Sequence, residues 1–117
     1  MVLKLNEYVR TKNGIIAKVI GVQSGGIEKY YFDKEVIDNF KELTQIGAEN
    51  VVLKHSFNII DLIEEGDYVN GKKIIGFRYQ YGKIDLITHY IPQEYMKSDI
   101  KSIVTKEQFE AMEYEVK

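Results

Sequence analysis

The sequence predicts an α+β fold, mainly β, in which two small SH3-like curled β-meanders pack together with one or two short helices. Three observations predict it. The chain repeats itself: Glu7-Tyr8-Val9 leads to Asn13-Gly14 and Ile15-Ile16, and sixty residues on Asp67-Tyr68-Val69 leads to Asn70-Gly71 and Ile74-Ile75. Side chains then alternate with the strand period of two, as in Ile75, Phe77, Tyr79 and Tyr81 against Gly76, Arg78 and Gln80. Finally, Gly76 lies inside such a run and Gly21 closes its counterpart, the placement of a bulge that curls a small sheet.

Each element follows in turn. Tyr8-Val9 opens the first meander, and Asn13-Gly14 turns it, because a tight hairpin needs positive φ that Asn tolerates and Gly adopts freely. Ile15 to Val22 runs to Ser24-Gly25-Gly26, and Ile27 to Phe32 returns. Asp33 is placed to cap a helix carrying Val36, Ile37, Phe40, Leu43 and Ile46 at near-helical spacing and ending at Gly47. A strand over Val51–His55 follows, then one helical turn capped by Ser56 or Asn58 that drops Ile59, Leu62 and Ile63 into the core. Lys73 to Tyr81 and Lys83 to Tyr90 form the second hairpin around Gly82, and Pro92 marks the loop from Ile91 to Lys97. Asp99–Val104 reads as a strand, and Thr105 with Gln108 is a capping box opening a helix over Lys106–Met112 with Phe109 and Met112 inward. Tyr114–Val116 is a last short strand. With no flexible linker, residues 1–117 read as a single compact domain with pseudo-repeat halves of about 1–50 and 51–117.

Composition narrows the function classes. At 117 residues and 44% hydrophobic, the chain carries enough apolar side chain to offset ordering entropy. It holds no apolar run long enough to span a membrane, and Met1 to Asn6 turns polar too soon for a signal peptide. Without cysteine there is no disulfide framework, thiol nucleophile or zinc-thiolate site. Sixteen basic against eighteen acidic residues give no global pull toward nucleic acid. Residues 1–58 are net +1 and residues 59–117 net −3, with acidic groups at Asp61, Glu64, Glu65 and Asp67 and again at Glu107, Glu110, Glu113 and Glu115. Runs this short are more often solvated faces than interaction tails, yet they would complement a basic partner.

Reacting groups are sparse. His55 and His89 each stand alone, without a second ligand at metal spacing, and isolated strand histidines are more often surface or satisfied side chains than ligands. Ser56 adjoins His55, but neighbouring strand residues point to opposite faces and cannot share a proton. Gly21-x-x-x-Gly25-Gly26 lacks the Lys and the following helix of a phosphate loop. Asp61 to Asp67 lacks calcium-loop spacing. No cofactor and no metal site is therefore expected. Aromatic clusters stand out more: Tyr30-Tyr31-Phe32 and Arg78-Tyr79-Gln80-Tyr81, near Lys29, Lys34 and Lys83. Such rings stack on single-stranded bases in small barrels or anchor protein interfaces, and the clusters by themselves do not separate the two; the missing basic field favours the plainer reading, in which half of each cluster is core and the rest covers a small barrel's edges.

Three passages carry a resemblance: residues 5–14 (LNEYVRTKNG), 54–71 (KHSFNIIDLIEEGDYVNG) and 100–110 (IKSIVTKEQFE). Together they resemble a group of small uncharacterised proteins of phages and prophages of Gram-positive bacteria, while the region from Val22 to Asn50 lies outside the match. That resemblance implies an accessory phage protein made in the host cytoplasm, in a setting that includes anti-CRISPR and other anti-defence proteins, and it brings no catalytic residues. The expected function is non-enzymatic inhibition of a host defence protein, a CRISPR effector nuclease among the candidates. The candidate partner-binding residues are Tyr30, Tyr31, Arg78, Tyr79, Tyr81, Glu64, Glu65, Glu107 and Glu110. The alternative is a small-barrel module for nucleic acid or another phage protein through Tyr30, Tyr31, Arg78 and Tyr81; an enzyme or nucleotide-sequestering protein ranks third.

Overall fold

A computed structural model describes residues 1–80, 83–88, 91–93 and 100–112. The fold is α+β and mainly β, with all its strand pairs antiparallel among the described residues. The chain divides into two compact units, Met1–Leu62 and Ile63–Lys117.

The first unit contains β1 (Tyr8–Thr11), β2 (Ile16–Gln23), β3 (Lys29–Phe32), β4 (Glu42–Thr44), helix α1 (Gln45–Val51), β5 (Val52–Ser56) and a 3₁₀ turn (Ile59–Leu62). Its sheet runs β4-β3-β2-β1-β5, so the closing strand lies beside the opening one. Val9, Val19, Tyr30, Phe32, Val36 and Val52 fill the core with Leu3 and Ala48. Arg10 is fully buried among them, and its Nη1 donates to the carbonyl of Leu62 at 2.9 Å.

The second unit contains β6 (Tyr68–Val69), β7 (Lys72–Lys73), β8 (Gly76–Gln80), β9 (Lys83–Thr88), β10 (Ile91–Gln93), β11 (Ile103–Val104) and helix α2 (Lys106–Met112). One sheet runs β11-β6-β7 and another β10-β9-β8. Val69, Ile74 and Leu86 are fully buried. The expected terminal strand over 114–116 lies outside the described residues.

The sequence repeat is a repeat of backbone geometry. Asn6 (φ 72°) and Gly66 (φ 97°) both take the left-handed conformation before the acid-Tyr-Val strand. Glu7 N–H then donates to Lys4 O, and Asp67 N–H to Glu64 O, each at 3.1 Å. Asn6 N–H donates to Val19 O while Val19 N–H donates to Glu7 O; Gly66 N–H donates to Ile74 O while Ile74 N–H donates to Asp67 O. Val19-Ile20-Gly21 is therefore the equivalent of Ile74-Ile75-Gly76, which corrects the match of Ile15-Ile16 to Ile74-Ile75 read from the sequence. Both places bend: the β2–β3 register shifts between Val19 and Gly21, and the second copy breaks into β7 and β8. Gly21 lies at the bulge, inside β2 and not at its end, whereas Gly76 opens β8 and pairs regularly with Ile87.

The shared Asn-Gly dipeptide closes two different hairpins. Asn70 (φ 51°) and Gly71 (φ 80°) form a two-residue loop between Val69 and Lys72, with both φ values positive as a type I′ turn requires. In the first copy only Gly14 (φ 84°) is left-handed; Gly14 N–H donates to Thr11 O, and Thr11 N–H to Ile15 O, which makes a three-residue loop. Asn70 has a second task, since its Oδ1 accepts from Lys101 N (2.7 Å) and Ser102 N (3.1 Å). Asn70→Gly keeps the turn and removes that acceptor, so a loss of about 1–2 kcal/mol is expected in urea unfolding.

One predicted helix is corrected. Residues 33–47 do not form it, because Asp38 (φ 43°) and Asn39 (φ 70°) build a tight reverse turn in which Ile37 and Phe40 pair. Val36 N–H donates to Phe40 O and Phe40 N–H to Ile37 O. Val36 and Leu43 do reach the core, but from a turn and a strand, while Phe40 and Ile46 face solvent. The helix starts only at Gln45, where Thr44 Oγ1 accepts from Gly47 N at 3.1 Å. Gly47 lies within it. The single turn after β5 forms as expected, with Asn58 accepting from Ile60 N and Ser56 from Asn58 N, but it buries Ile60 in place of the expected Ile59, beside Leu62 and Ile63. Thr105 caps α2 through Gln108 N at 3.3 Å, but Phe109 stays 45% exposed.

Candidate functional site

The first unit carries an open groove of about 350 Å³ on the β2–β3–β4 surface, lined by Ile20, Tyr31, Phe32, Asn39, Phe40, Lys41 and Glu42. Strand geometry produces it. The bulge at Val19–Gly21 turns Ile20 outward, and Tyr31 pairs with Gly21 and Glu42 across the sheet. A Cβ at position 21 would lie 3.4 Å from Tyr31 Cδ2, an ordinary contact distance, so the tyrosine ring packs directly over the glycine. The Tyr31 hydroxyl donates to Gln23 Oε1 at 2.7 Å and fixes the ring. The Asp38-Asn39 turn delivers Phe40 to the other wall. Ile20 is 57% exposed and Phe40 59% exposed. Burying what remains exposed of either against a partner would contribute about 1–2 kcal/mol before the costs of association.

The sequence-selected residues divide between the units. Tyr31 lines the groove. Tyr30 does not reach the surface: it shares a face with Phe32, is fully buried, accepts from Leu3 N (3.3 Å) and donates to Glu28 Oε2 (3.1 Å). That corrects its selection as a partner-binding residue. Burial, reinforced by the Glu28 carboxylate, raises the Tyr30 hydroxyl above the ordinary tyrosine value. A raised folded-state value means that its share of stability is complete below about pH 10 and falls as pH rises beyond it. The difference in unfolding free energy between the protein and Tyr30→Phe should therefore shrink between neutral and strongly alkaline pH.

In the second unit Arg78 and Asp85 pair across β8 and β9, with Arg78 Nε and Nη2 donating to one oxygen of the buried Asp85 carboxylate at 2.9 and 2.6 Å. The guanidinium is thus held by an internal anion. Tyr79 is 76% exposed beside it. Tyr81 lies outside the described residues. Glu64 accepts from Lys106 Nζ at 3.0 Å, Glu65 and Glu110 are exposed, and Glu107 is half-buried in the first turn of α2. Phe109 stacks on Tyr68 with ring centroids 4.6 Å apart.

His55 meets the buried Glu7 carboxylate through Nδ1, tying β5 to the start of β1. It is a structural partner of that carboxylate, as an isolated strand histidine usually is; His89 lies outside the described residues. Among the described residues no group of three His, Asp or Glu side chains is placed to hold a metal ion, and no helix is long and apolar enough to cross a membrane. Sequence reasoning missed Ile20 and Phe40. Ile20 was hidden in a continuous strand and Phe40 in a supposed helix, although the Asp-Asn pair before Phe40 was the available signal for a turn. No family model, curated protein or solved structure matches the chain.

Proposed function

We propose that this chain is a phage-encoded, non-enzymatic inhibitor of a host defence system, anti-CRISPR-like, which acts in the host cytoplasm by binding a protein. The observation that carries the protein-binding part is the largely apolar groove between Ile20, Tyr31 and Phe40. Large exposed apolar and aromatic side chains held in fixed positions are what protein interfaces use as anchors. The Arg78–Asp85 pair supports the same reading, because it removes a cation on which binding to nucleic acid would have drawn. The phage setting rests on the resemblance of residues 5–14, 54–71 and 100–110. An SH3-like character for the first unit is part of the proposal, supported by a five-strand order in which the last strand follows a helix and pairs with the first.

The test mixes the purified full chain with candidate CRISPR effector nucleases. A stable co-eluting complex with loss of cleavage is expected, and bare DNA or RNA should not shift in a gel. Binding to single strands with a steep salt dependence and no protein complex would replace this reading with the nucleic-acid module.

A further inference from the structure

We infer that the outer edge of β5 pairs with the same edge of a second copy of this chain, joining two five-stranded sheets into one. In the order β4-β3-β2-β1-β5 the last strand has a neighbour on one side only. Alternation fixes which of its main-chain groups face away. Thr11 N–H bonds to Ile15 O and Val19 N–H to Glu7 O, so the odd residues of β1 face β2, while Tyr8 and Arg10 face β5. Their counterparts on β5 are Ser56 and Lys54. Because C=O and N–H oppose each other across a trans peptide, Leu53 C=O, His55 N–H, His55 C=O and Phe57 N–H then point outward. Among the described residues no hydrogen bond takes these four groups, and Leu53, His55 and Phe57 are all exposed. The row reads acceptor, donor, acceptor, donor, and an antiparallel copy of it is its own complement. A two-fold axis at His55 therefore satisfies all four groups of each copy.

The side chains fit that register. Leu53 (48% exposed) comes opposite Phe57 (52% exposed) of the second copy, on both sides of the axis, an aliphatic–aromatic pair of the kind that stabilises sheets. On the other face Lys54 comes opposite Ser56 of the second copy, whose hydroxyl donates to Asp61 Oδ2 at 2.6 Å, so a cation meets a carboxylate across the seam in each direction. The two His55 rings face each other at the axis, each held by its own buried Glu7 carboxylate. The groove on β2–β3–β4 lies toward the other edge of the sheet, so this pairing does not depend on what the groove binds.

Sedimentation of the full chain over a range of concentrations tests this. A monomer–dimer equilibrium is expected, half-dimeric at about 100 μM because one strand pair is smaller than a standard interface. Hydrogen exchange at the His55 and Phe57 amides should slow as concentration rises, while the Glu42 and Thr44 amides of the opposite edge stay unchanged. That measurement needs no substitution, so it decides the matter even where a variant fails to fold. Leu53→Lys should weaken the dimer about ten-fold. The chain has no cysteine, so the register can be read directly. Leu53→Cys mixed with Phe57→Cys should form a disulfide between copies about ten-fold faster than either variant alone, since directly opposed residues have Cα atoms about 5.5 Å apart. A chain that stays monomeric to about 1 mM, a dimer indifferent to Leu53→Lys, protection confined to Glu42 and Thr44, or no preference for the mixed disulfide would overturn the inference. So would a monomer whose His55 and Phe57 amides gain protection only when a candidate nuclease is added, which would make the edge a site for another protein's strand.

Discussion

Replacing Asp67 with alanine should lower the stability of residues 63–112 by about 3 kcal/mol. The carboxylate is fully buried, its Oδ2 accepts from Glu64 N at 2.7 Å and its Oδ1 from Lys106 N at 2.9 Å. One side chain thus closes the turn before β6 and satisfies a backbone N–H at the start of α2. Charge-assisted bonds to backbone donors contribute about 1.5–3 kcal/mol each, and alanine leaves both donors without this acceptor. Hydrogen exchange should show the lost protection in Gly66 to Val69 and in α2. Asp67→Asn, which keeps an oxygen but turns a donor toward one N–H, should recover only part of the loss. Full stability in Asp67→Ala would show that packing alone holds α2.

Arg10→Ala should cost a similar amount, about 3 kcal/mol or more, by combining a cavity with an unsatisfied carbonyl at Leu62. Arg10→Met separates the two contributions. It restores most of the volume without the donor, so urea unfolding of the two variants reads packing against hydrogen bonding. Buried ionic groups can be replaced by apolar ones at little net cost when the shape is kept. If methionine restores full stability, the guanidinium is a spacer; a remaining deficit of about 1–2 kcal/mol makes it the cap of the 3₁₀ turn.

Much of the fold was legible because its determinants are local. Asn70-Gly71, Thr105 with Gln108, and Ser56 with Asn58 each act within a few residues, and all three take the roles their chemistry predicts. The repeat was legible as sequence, but its cause was not: the equivalence of Glu7 and Asp67 lies in hydrogen bonds to Val19 and Ile74, which spacing alone does not disclose. Helical spacing misled over residues 36–46 because Val36 and Leu43 are buried from different elements, and the left-handed Asp38 and Asn39 break the periodicity. The tyrosine pair shows the same limit. Period two requires Tyr30 and Tyr31 to face opposite sides, yet which one is buried depends on the partners that β3 meets. The groove needed three separate strands and a turn to assemble, and nothing in a linear reading joins Ile20 to Phe40.

The strand order of the first unit also has a kinetic consequence. Strands β1, β2 and β3 pair with their immediate successors, whereas β5 must find β1 across a long loop; the Glu7–His55 contact spans 48 residues and the Arg10–Leu62 bond spans 52. Loop closure of that length is costly early, so the meander should form first and the β1–β5 seam last. Mutations at Arg10 or His55 should then quicken unfolding and leave the refolding rate nearly untouched, while changes at Tyr30 or Phe32 should slow refolding. The seam joining first strand to last is thus the latch that sets how long the folded unit survives.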